Sequence, residues 1–270
     1  MSGLPSTLEW RRLRRCEGMN ALRSNLRRAV TLLEVILVMG ILAAITAMVV
    51  PNFYAEYRAA ELPGSARQFR SLLTFVAARA ALDGRRYRVR FPMEDEEDPL
   101  GGDSQPLVER EDDPFKEPEI FNLVTEPWAV GHTLLGDVWC IEVRPGRPTV
   151  ELLKERRSRI EEALEEAREE FEPERPPVEF ESDSTTGWVT FVLTDAPRGI
   201  DIGNLDEYGA IEVIQEGETG LIWLQRPFYE EELDLFEEKN WPIVLRQDFL
   251  DPRVLTEDDV LELHDSLLKP

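Results

Sequence analysis

Between Val30 and Val50 the chain reads VTLLEVILVMGILAAITAMVV. About 21 residues, or about 31 Å as a helix, match the hydrocarbon core of a bilayer. Length and hydropathy therefore predict a transmembrane helix over 30–50. One charge interrupts it, Glu34. An ionisable side chain costs about 2–3 kcal/mol at mid-bilayer and as a rule marks a function that involves a partner. A secretory signal peptide does not account for the run, since no Ala-x-Ala cleavage site closes it. An ordinary signal anchor gives no reason for a lone glutamate at this depth or for Pro51 at the far end.

Charge gives the span its direction. Residues 1–29 hold seven arginines against Glu9 and Glu17, a balance of +5. The whole chain carries −23, so residues 30–270 carry −28. Arginines beside a span resist translocation, which keeps the head in the cytoplasm and puts the acidic body outside the inner membrane. A body this acidic repels phosphate backbones, which disfavours nucleic-acid binding. Met19 offers an internal start that shortens the head to MNALRSNLRRA. Of the two cysteines, Cys16 belongs to the head and Cys140 to an apolar run, so no intrachain disulfide outlasts removal of the head. Cys140 reads as a buried, inert thiol.

The stretch RRAVTLLEVILVMGILAAITAMVVPNF resembles the leader and first helix of type IV prepilins and of type II secretion pseudopilins. In that family a small residue precedes the cut, a Thr-Leu pair leads to a glutamate at the fifth mature position, and a proline follows the span. Thr31, Leu32, Glu34 and Pro51 fall at those places. Ala29 and Val30 depart from the usual glycine and phenylalanine or methionine. The resemblance implies that a prepilin peptidase cuts between Ala29 and Val30 and methylates the Val30 amine. That amine would lie one turn from Glu34, in the same subunit or in a neighbour, and neutralise it at low dielectric.

Beyond Pro51, apolar residues keep helical spacing through Phe53, Tyr57, Leu62, Phe69, Leu72, Leu73, Val76 and Ala80. They predict that the helix continues over 51–84, bent at Pro51 and bent or broken at Pro63-Gly64, and ended by Asp83-Gly84. Residues 85–270 form the globular, β-rich part. Tyr87, Val89 and Phe91 alternate with Arg86, Arg88 and Arg90, a half-buried strand with a basic outer face. This helix-to-strand texture resembles the H-type minor pseudopilins. Further strands are expected at 138–143, 188–193, 210–214 and 221–224, with a turn at Gly217–Gly220. Residues 93–119 read as an acidic, proline-rich loop. Residues 150–171 read as an amphipathic helical insertion whose stripe (Leu153, Ile160, Leu164, Ala167, Phe171) covers the sheet or meets a neighbouring subunit. Residues 229–238 are an acidic patch, and Thr256 opens a C-terminal helix through a TEDD cap. The expected fold is α+β and type IV pilin-like: a long N-terminal helix, transmembrane in its first half, packed on a small antiparallel sheet.

No enzyme signature is present. The only histidines are His132 and His264, and no HExxH, CxxC, Walker or Gly-x-Ser-x-Gly sequence occurs. No metal site or cofactor is expected. Calcium is the one ion with a candidate stretch, Asp201, Asn204, Asp206 and Glu207, and its spacing is not that of an EF-hand. The resemblance implies a minor pseudopilin, a structural subunit of a periplasmic filament in type II secretion, single-pass in the inner membrane with its C-terminal domain in the periplasm. Glu34, with Gly40 and neighbouring alanines as a close-packing face, would carry assembly. Implied partners are the prepilin peptidase, other pseudopilins, the inner-membrane assembly platform and exported protein substrates. A minor pilin of a type IV pilus is the alternative. An uncut, membrane-anchored periplasmic binding protein or enzyme is the second.

Overall fold

The computed structural model describes residues 32–92, 105–131, 133–166, 175–183, 185–198, 208–217 and 219–268. The leader, Ala29, Val30, Thr31, residues 93–104, His132 and the oxygen-rich stretch 201–207 lie outside the described residues. The chain divides into two compact units, Met1–Phe53 and Tyr54–Pro270.

Helix α1 spans Leu32–Asp83 and runs through both Pro51 and Pro63. Of the bend or break expected at Pro63-Gly64, the break does not occur. A loop packs against this point of the helix: a Cβ on Gly64 would lie 3.2 Å from Leu135, and the Leu135 N–H donates to buried Ser65 at 2.8 Å. In the second unit Leu62, Ala66, Phe69, Leu73, Val76 and Ala80 are buried along one stripe of α1. The helix ends at Gly84, whose φ of 60° is left-handed, and the Arg85 N–H reaches back to the Ala80 carbonyl as in a Schellman motif.

Two four-stranded antiparallel sheets follow where one was expected. The first, in the order β3-β2-β1-β5, comprises β1 (Tyr87–Arg90), β2 (Leu107–Glu111), β3 (Phe121–Leu123) and β5 (Val178–Phe180). The second, β4-β6-β7-β8, comprises β4 (Trp139–Pro145), β6 (Val189–Thr194), β7 (Ala210–Gln215) and β8 (Ile222–Gln225). One apolar core joins α1 to both: Phe69 meets Phe91 and Phe191 with ring centroids 5.7 and 4.9 Å apart.

Strand β2 corrects the reading of 93–119 as a loop too polar to bury. Register sets Glu109 opposite Arg88, and Glu109 also receives Arg90. Glu111 takes both forks of Arg86, at 2.8 and 2.6 Å. The basic face of β1 therefore supplies the counter-charges that let two glutamates be buried. Phe121 on β3 closes this face, with the Arg88 guanidinium 4.4 Å from its ring centre.

Helix α2 (Val150–Glu166) lies on the second sheet, where Ile160 packs against Ile141 and Val192. Helices α3 (Glu230–Lys239) and α4 (Glu257–Leu268) share a smaller core built on Phe228, Leu233, Phe236 and Val260. Thr256 caps α4 reciprocally with Asp259, as the TEDD sequence implies.

Every sheet edge is short, distorted or covered. Strands β3 and β5 have three residues each. Edge strand β4 carries a bulge between Cys140 and Glu142, turns Glu142 inward and ends in Pro145. Strand β8 is covered by Phe249, whose N–H donates to the Leu224 carbonyl at 2.7 Å and whose carbonyl accepts from Arg226 at 3.0 Å. These are the devices by which sheets avoid pairing with other chains.

Candidate assembly site

Leu32, Glu34 and Gly40 belong to the first unit, with Glu34 in the first turn of α1 and exposed. A carboxylate there faces the positive end of the helix dipole. Pro51 is helical backbone, and Ala29, Val30 and Thr31 fall outside the described residues. Val35, Ile36, Leu37, Val38 and Met39 are 47%, 63%, 58%, 47% and 64% exposed. At 3.6 residues per turn, five consecutive positions point in every direction around the axis. The helix is therefore apolar on all sides, and a Cβ on Gly40 would meet no atom within 4 Å. Such a helix belongs in an apolar surrounding, lipid or other helices. Among the described residues no helix is long and apolar enough to cross a membrane. The described side chains here are those of residues 32, 34–43 and 46, a shorter run than the about 20 that a span needs.

In the second unit, a cavity of about 610 Å³ lies between α2, the second sheet and the β8–α3 connection. Its arginines are engaged by the protein's own acceptors. Arg156 binds Glu142 at 2.7 Å, Arg144 binds Glu212, and Arg157 donates to the Phe228 carbonyl at 3.2 Å. Cys140 is buried in the core, and burial pushes its thiol up to about 12, too high for a nucleophile. His264 stacks on Trp241 with centroids 5.5 Å apart. Among the described residues no group of His, Cys, Asp or Glu is arranged to hold a metal ion.

Two charged constellations escaped the sequence reading. The Arg86–Glu111 and Arg88–Glu109–Arg90 ladder had a signal, since Arg-x-Arg-x-Arg and Glu-x-Glu are both period-two runs of opposite sign. The second, Arg226 with Glu232, is completely buried at the acid and had no periodic signal. No family model matches the chain, and neither a curated protein nor a solved structure is significantly similar to it.

Proposed function

We propose that the chain is a minor pseudopilin, a structural subunit of the periplasmic pseudopilus of a type II secretion system, with a type IV pilin-like fold. The prepilin peptidase cuts between Ala29 and Val30 and methylates the new amine. The inner-membrane platform then moves the subunit into a filament, where its apolar helix packs among those of other pseudopilins. The observation that carries this reading is the helix exposed and apolar on all sides, interrupted only by Glu34 in its first turn. An apolar circumference calls for an apolar surrounding, and a carboxylate in its first turn favours a cation at the same depth. The Val30 amine of a cut chain is such a cation.

Blunted sheet edges support the same reading, since they leave strand addition no easy route and direct assembly to the helix. Minor status fits the bulk that α2 and the acidic segments add, which would crowd a subunit repeated along a filament. The test is intact mass and N-terminal sequencing of protein expressed with and without a prepilin peptidase. A peptidase-dependent, N-methylated Val30 supports the proposal. A chain left uncut where a sister pseudopilin is processed sinks it, and leaves a membrane-anchored protein of another kind.

A further inference from the structure

The guanidinium of Arg226 engages all five of its N–H donors, the full complement of the side chain. Nε donates to the Asp251 carbonyl. Nη1 donates to the Pro227 carbonyl and to Glu232 Oε2, both at 2.9 Å. Nη2 donates to Glu232 Oε1 and to the Arg253 carbonyl. Glu232 also accepts the backbone N–H of Tyr229, at 2.8 Å, and that of Leu255. The rings of Tyr229 and Phe249 lie 5.1 and 5.3 Å from the guanidinium carbon.

Three of these contacts, at Asp251, Arg253 and Leu255, grip alternate residues of one non-helical segment. That segment follows Phe249, which occupies the outer edge of β8 with only the two backbone bonds described above. Gln225 adds a third hold, accepting the Leu245 N–H at 3.3 Å, and Asp248 is pinned to α1 by Arg70 at 2.7 Å. The tail lies along β8 without forming a strand, and side chains do the work that a backbone ladder does elsewhere.

We infer that residues 245–255 are a strap that closes the β8 edge, and that the Arg226–Glu232 pair is its latch. With the latch broken, β8 becomes the one edge that is neither very short nor bulged. The strand that then pairs with it is the β8 of a second copy, because the same edge opens on every copy and an edge-to-edge contact is self-complementary. The inference is independent of the secretion reading.

The test uses the full chain in detergent micelles. Hydrogen exchange is followed at the Arg226, Phe249 and Leu255 amides, and protein mass per particle by light scattering over a range of concentrations. Arg226→Met should speed exchange at these three amides while leaving Phe191 and Val213 protected, and should make the mass rise with concentration where the unmodified chain stays constant. The double variant Arg226→Met with Glu232→Leu removes the uncompensated charge that could unfold the single variant, yet lacks the side-chain grip on Asp251, Arg253 and Leu255, and it should associate in the same way. Leu73→Ala, a core change away from the strap, should lower thermal stability without raising the mass. If the tail amides of the double variant stay protected, or open without any rise in mass, the strap is not a latched edge cover. Equal association by Leu73→Ala would attribute the effect to general destabilisation and overturn the inference as well.

Discussion

The two halves of α1 obey opposite rules. From Leu62 to Asp83 the helix buries one stripe and shows water a face of Arg67, Gln68, Ser71 and Thr74. Its apolar residues are explained by the sheets beside them. From Leu32 to Ala43, where side chains are described, apolar residues point all round and the one acid stands in the first turn. Periodicity thus separates a segment packed on its own chain's sheets from one that is apolar around its whole circumference. One helix carries both, so a substitution in α1 should act on stability or on assembly according to the half in which it falls.

Phe69→Ala should be the most damaging change on the stability side. The ring is fully buried and touches both Phe91 and Phe191, so truncation opens a cavity where α1 meets both sheets. A loss of about 3–5 kcal/mol is expected. Thermal or urea unfolding of the full chain, followed by tryptophan fluorescence, measures it. A loss below about 1 kcal/mol would mean that α1 is not the keystone of the second unit.

Arg86→Met should cost less, about 1–3 kcal/mol, because it strands the buried Glu111 with one backbone donor, the Glu119 N–H. Its pH dependence is diagnostic. The hydrogen bond from Arg86 holds the Glu111 carboxyl below its ordinary value, and Arg110 does the same for Asp112. Each contributes stability that is fully present above the unfolded-state value of about 4. The contribution fades as pH falls through the lower folded value. Melting temperature between pH 6 and 3 should therefore drop less steeply in Arg86→Met than in the unmodified chain, and parallel curves would remove Glu111 from the account.

Sequence legibility divides along the same line. The apolar run, the stripe through Leu62, Phe69, Leu73 and Val76, the alternation at Tyr87–Phe91, four of the strands and the Thr256 cap were readable because each depends on local periodicity. Strand β2 was not. Glu109, Arg110 and Glu111 look like solvated loop until arginines more than 15 residues earlier are placed across from them; the two period-two runs of opposite sign are visible separately, but nothing local pairs them. The same reason hides the second sheet's separation from the first, since β5 is a three-residue strand in a proline-rich stretch. Of the candidate site, the sequence supplied Leu32, Glu34, Gly40 and Pro51, and the structure adds that the surface around Glu34 and Gly40 is apolar on every side.

Gly84→Ala should remove about 1 kcal/mol, since the left-handed φ at the end of α1 strains any L side chain. Unfolding midpoints report it directly. Gly84→Asn should recover part of the loss, because asparagine tolerates this conformation better than alanine does. Equal midpoints for the two variants would show that the helix end relaxes instead of holding its φ.

Ile36→Ala should have the smallest effect on stability and so sharpens the contrast most. Its side chain is 63% exposed, on a stretch of α1 whose described side chains are exposed all round. A truncation that removes no intramolecular contact leaves the unfolding midpoint of the second unit unchanged within about 0.5 kcal/mol. The methylenes it deletes still matter to whatever surrounds the helix. If that is a bundle of other subunits' helices, which associate through close packing and polar pairs, Ile36→Ala should lower incorporation into a filament while processing at Val30 is unaffected. Glu34→Gln should lower incorporation further by leaving the amine unpaired. Quantifying sheared or purified filament material from cells that make these variants separates the two halves of α1 by their consequences. An Ile36→Ala chain that unfolds early would place an intramolecular partner against the first half, and the distinction between the two rules would fail.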